Sequence, residues 1–256
     1  MPKTSTTIQI LEYTFLDTEI NFNILEIVRL AEQAIVCGET KDGKAALARL
    51  EGLKGWMNVY NEKYLTAGFL LASKGKRKEC ELLANLGADL AMIAAGAAYS
   101  ADVAYVNELI QQMMCVEGNM KANFHKIAVG AVYGGKLELA NVLIERLGGD
   151  TKADLKNIAA GAAMGGHLTI AYSLIERLGG DINVNVDKIA TIIDQVFGQP
   201  SNARLLRTIA FEQQVRKMQA VRNVTLLHSM APVAQQIKLP YYAVSSGQKR
   251  KMPGWQ

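Results

Sequence analysis

Side chains suited to chemistry are few and scattered in this chain. The three cysteines, Cys37, Cys80 and Cys115, are far apart and odd in number, which offers neither a disulfide framework nor a CxxC metal site. Reduced thiols, as in a cytosolic compartment, are the expected state. Cys80 closes the basic stretch KGKRKEC. Neighbouring cations there would lower a thiol pKa, while the simpler expectation is an unreactive thiol on a helix face. His125, His167 and His228 do not cluster. No GxxxxGKS/T phosphate loop, HExxH, GxSxG or strand-borne GxGxxG occurs. Glu145, Asp150, Glu176 and Asp181 recur at one fixed offset, so they read as lattice positions and not as an acid–base pair. These residues predict a protein that is not an enzyme and carries no cofactor and no metal.

The offset itself is the strongest signal. Ile127 opens IAVGAVYGGKLELANVLIERLGGD and Ile158, 31 residues later, opens IAAGAAMGGHLTIAYSLIERLGGD. Weaker copies begin at Leu65, Ile93 and Ile189, giving five units between about residues 60 and 210. A worn unit or capping helix pair precedes them, from Leu30. Each unit predicts two helices. Leu137, Ala140, Leu143, Ile144 and Leu147 lie at helical spacing, placing one apolar stripe on the second helix. Gly148 follows where a left-handed cap excludes a Cβ. The first helix is small and apolar, as in Ala128, Gly130, Ala131 and Val132, which lets neighbours approach closely. The pairs Gly134–Gly135 and Gly165–Gly166 turn the chain. A unit this short cannot bury both faces alone, so the expected fold is an all-α solenoid stacked on one continuous core.

At these residues the chain resembles an ankyrin-repeat protein. Ala162–Ala163, Gly166–His167–Leu168, Leu174–Ile175 and Gly179–Gly180–Asp181 follow that family's pattern, and Gly87–Ala88–Asp89 is its usual ending. The likeness covers about 150 of 256 residues. It departs from the family where Asn157–Ile158–Ala159–Ala160 stand in place of Thr-Pro-Leu-His, and in a period shorter than about 33 residues. The missing residues fall between Asp150 and Asn157, where ankyrins project a hairpin, so short loops are expected there. The full expectation is helix-turn-helix ankyrin-like repeats with helical caps at both ends: a cap or worn repeat at 1–58, the array at 59–200, and a basic capping helix with a tail at 201–256.

The resemblance implies a scaffold that binds another protein on its concave side. His167 takes the family's structural turn position. The residues just before each turn, Tyr99, Tyr133 and Met164, with Leu71 and Gln195 as flanking equivalents, form the candidate contact row. Aromatic residues and methionine are enriched at interface centres, although the same side chains would also serve as packing between helices. Degenerate repeats in a chain with no other domain also resemble effectors that intracellular bacteria deliver into host cells, so a cytoplasmic location, in that case a host's, is expected.

After residue 200 the character changes. A long helix is predicted, with Leu205, Leu206, Ile209, Val215, Met218 and Val221 apolar and Arg204, Arg207, Arg216, Lys217 and Arg222 basic; a tail with Lys249, Arg250 and Lys251 follows. The apolar face is expected to cap the array. The basic residues admit a second reading, weak contact with nucleic acid or an anionic membrane. An enzyme on a helical scaffold is the third. The net charge of +4 conceals the asymmetry, since residues 201–256 hold nine Lys or Arg and one Glu, a net +8. No run of apolar residues is long enough for a transmembrane span and no secretory leader is expected.

Overall fold

The computed structural model describes residues 5–60, 65–116, 120–146, 152–195 and 198–236. Among them there are twelve α-helices, one short 3-10 turn at Lys54–Trp56 and no strand. The expected all-α class therefore holds. The chain falls into two compact units, Met1–Phe211 and Glu212–Gln256.

In the first unit, α1 (Ser5–Cys37) is a single helix, so residues 5–30 run without a break into the stretch read as a worn repeat. Ile24, Ile27 and Ala31 are buried at helical spacing on its inner side. Gly38, at φ 50°, turns the chain, and Thr40 caps α2 (Lys41–Gly52) by accepting the Gly43 N–H at 3.3 Å. Four helix pairs follow: α3 (Ala67–Ser73) with α4 (Arg77–Asn85), α5 (Leu90–Tyr99) with α6 (Val103–Val116), α7 (Lys121–Tyr133) with α8 (Leu137–Arg146), and α9 (Lys152–Met164) with α10 (Leu168–Leu178). Then come α11 (Ile182–Gln195) and α12 (Pro200–Gln236).

The first helices of successive pairs pack in series, α3 on α5, α5 on α7, α7 on α9 and α9 on α11. Small residues make this approach close. A Cβ at Gly130 would overlap the Ala95 carbonyl oxygen, and one at Gly96 would stand 2.9 Å from the Phe69 Cα. Gly134 and Gly165 meet the backbone of Tyr99 and Tyr133 in the same way. The two glycines of each pair thus have separate roles. Gly134 makes room for the neighbouring helix, whereas Gly135, at φ 74°, makes the turn.

One buried cluster runs from Ile24 to Ala210. Leu143, Ile144, Leu174 and Ile175 contribute from the second helices, as their spacing predicts. The described links between pairs are short, at Leu86–Asp89 and Gly179–Asp181, with no hairpin. Gly179, at φ 67°, is the C-cap of α10; its counterpart Gly148, with Leu147, lies outside the described residues.

The expected apolar face of α12 holds at Leu206 and Ile209 and is corrected at Leu205. Ala203, Leu206 and Ala210 are buried, but Leu205 is half exposed, and Met218 and Val221 are 64% and 66% exposed. The buried seam follows the 203, 206, 210 spacing, and small alanines form most of it. Ile209 packs partly buried against the same core, while Leu205 and Phe211 are exposed.

Candidate functional site

The register of the turns shows where the candidate row falls on the first helices. Each first helix ends in the same pattern. The N–H of Lys76 donates to the Leu71 carbonyl at 3.0 Å, Asp102 to Ala97 at 2.9 Å, Lys136 to Ala131 at 2.8 Å and His167 to Ala162 at 2.9 Å. Two residues after those acceptors stand Ser73, Tyr99, Tyr133 and Met164. Leu71 is therefore equivalent to the buried alanines, and it is itself fully buried. The position equivalent to Tyr99 in α3 is Ser73, a correction of two residues that follows from where α3 stops. Gln195 is exposed, and there the N–H of Gln199 donates to Ile193 at 3.1 Å, a turn one residue wider than the other four.

Tyr99 and Tyr133 lie side by side with ring centroids 5.6 Å apart. Phe69, from α3, completes a triangle at 5.8 Å from Tyr99 and 6.3 Å from Tyr133, both edge-on. Phe69 is buried, Tyr133 is half-buried and Tyr99 is 37% exposed. Burial raises the Tyr133 phenol pKa, with Tyr99 adding to the shift, so it stays a neutral donor.

Beside this triangle opens a cleft of about 320 Å³. Phe69, Ala95, Val129 and Ala160 line it, each four residues before a member of the row and so on the same helical face. Tyr133, Met164, Met92 and Ile192 complete the apolar wall. The sequence reading missed Phe69, Met92, Val129 and Ile192, although for Phe69 and Val129 the four-residue spacing from the row carried the signal.

Three polar groups reach the cleft: His125, Lys126 and Asn157. Lys126 Nζ is held at 2.6 Å by Asp89, which also caps α5 through the Ala91 N–H at 2.8 Å. His125 Nδ1 lies 3.6 Å from Asp154 Oδ1. Burial pushes the imidazole pKa down, and the Asp154 charge opposes this in part. A second hollow of about 660 Å³ lies between α6 and α8, lined by Val103, Val106, Leu139 and Val142. It contains no aromatic residue.

Several other polar residues act within the fold. Asp181 caps α11 through the Asn183 N–H at 2.8 Å, and Asp102 caps α6 while gripping Arg77 at 2.6 Å. The Arg77 guanidinium also stands 4.9 Å from the Tyr105 ring centre. His167 packs at its turn, where a Cβ on Gly135 would lie 2.6 Å from its Cε1. Cys80 is fully buried, and desolvation first, with the Glu79 charge next, pushes its thiol up to about 12. The basic stretch around it does not activate it. Among the described residues no three His, Cys, Asp or Glu side chains converge to hold a metal.

Arg204, Arg207, Arg216, Lys217 and Arg222 are all exposed on α12. Arg207 pairs with Asp187 at 2.9 Å. Lys249, Arg250 and Lys251 lie outside the described residues. No described helix is long and apolar enough to cross a membrane. Comparison with protein-family models, with curated proteins and with solved structures finds no match.

Proposed function

We propose that this chain is a non-enzymatic scaffold, a solenoid of shortened ankyrin-like repeats, that binds a partner protein on the face built by its first helices. The observation carrying this reading is the cleft, because Tyr133, packed beside the partly exposed Tyr99, lines an apolar hollow that His125, Lys126 and Asn157 also border. Aromatic anchors in preformed hollows dominate binding energy at protein interfaces. A rigid surface also loses little entropy when it docks. The periodic arrangement extends the surface through Met164 and Gln195, in the succession expected of stacked repeats. Delivery into a host cell remains part of this proposal only by resemblance.

Affinity capture with the full chain and with the Tyr99→Ala/Tyr133→Ala double variant tests it. The wild type is expected to retain a defined protein and the double variant to lose it while staying folded, with about 1.5–4.5 kcal/mol of stability lost from the three ring contacts. Unfolding of the variant, or undiminished capture by a folded one, would give the two tyrosines a packing role instead.

A further inference from the structure

We propose that the part of α12 beginning at Glu212 lies on an anionic lipid surface. This inference concerns the second unit alone and is independent of the cleft. Residues 212–256 carry seven Lys or Arg and one acidic residue, Glu212, a net charge of +6. On the described helix, Met218, Val221, Arg222 and Thr225 share one face at helical spacing. Met218 and Val221 are 64% and 66% exposed, and Arg216, Lys217 and Arg222 are exposed around them.

Charge complementarity names an anionic partner, and the apolar side chains choose among anionic partners. Phosphate backbones and base edges in nucleic acid reward cations and aromatic stacking, and neither Met218 nor Val221 can stack. A bilayer interface rewards both kinds of residue at once. Aliphatic side chains enter the acyl boundary, while long cationic ones reach back to the headgroups. The helix is not a membrane span, so it would lie in the interface plane.

The test is co-sedimentation of the full chain with phosphatidylcholine vesicles, with and without phosphatidylserine, at physiological salt, alongside duplex DNA retention. Binding is expected only with phosphatidylserine present. Arg216→Gln with Arg222→Gln should weaken it about thirtyfold, and Met218→Asp with Val221→Asp about tenfold or more. Met218→Leu with Val221→Leu should retain it, which separates lost apolar contact from a damaged helix. The proposal is overturned by absence of vesicle binding, by equal binding to uncharged vesicles, or by indifference to the aspartate pair. Retention of DNA without vesicles would assign the charge to nucleic acid instead.

Discussion

Gly130 stands where two helix backbones nearly touch, and replacing it with alanine measures how much the array depends on that approach. A new Cβ would overlap the Ala95 carbonyl oxygen and sit 2.7 Å from both the carbonyl carbon and the Cα of Ala95. These are backbone atoms inside α5, and no rotamer change can move them aside. Ordinary contact needs roughly 1 Å more, and a gap of that size forfeits a quarter to a half of each dispersion well along the seam. The seam includes Ala94, Ala97, Ala98, Ile127, Ala128 and Ala131, all buried. Overpacking of this kind costs up to about 3 kcal/mol. The better helix propensity of alanine returns about 1 kcal/mol, leaving a net loss of up to about 2 kcal/mol. For a domain of this size that lowers Tm by up to about 4–8 °C. Thermal melting followed by circular dichroism reads it, with Gly52→Ala as the reference because nothing lies within 4 Å of a Cβ there. Equal melting of the two variants would refute the claim that the first helices are in backbone contact.

Ala101 occupies the turn position held by Gly75, Gly135 and Gly166 and adopts φ 63° with a Cβ. Ala101→Gly should therefore raise stability by about 1 kcal/mol or less in denaturant titration. Thiol alkylation followed by mass spectrometry should label exposed Cys115 readily at neutral pH and leave Cys80 unmodified until the chain unfolds. Burial holds the folded His125 pKa below its ordinary 6.5, so the unfolded chain binds the proton more tightly. That contribution is whole above about pH 6.5 and is lost as pH falls through the folded pKa. His125→Gln should flatten this part of the stability–pH curve, and an unchanged slope would show that His125 takes no part in it.

Much of the array was legible because its cause is local. The recurrence of LIERLGGD, the 3.6-residue stripes through Leu143 and Ile144, and the glycines at the turns depend only on neighbours along the chain, and they placed the helix pairs correctly. His167 and Met164 followed from the same alignment. Leu71 did not, because the end of α3 is set by a hydrogen bond to its own carbonyl and not by a glycine count through an irregular unit. The second function of Gly134 and Gly165 was hidden for a related reason. A residue can make a turn by its own φ, but only a neighbouring backbone reveals that a Cβ has no room.

The sequence by itself determined the helix pairs of the repeated units, the apolar stripe on their second helices, and that the charge is concentrated at the C-terminal end. Tertiary structure alone decided that Phe69 meets Tyr99 and Tyr133, that Cys80 is masked despite its basic surroundings, and that α12 buries alanines while exposing Met218 and Val221. Periodicity encodes the direction in which a side chain points relative to its own helix axis. Whether another helix stands there to receive it depends on contacts between residues far apart in the chain.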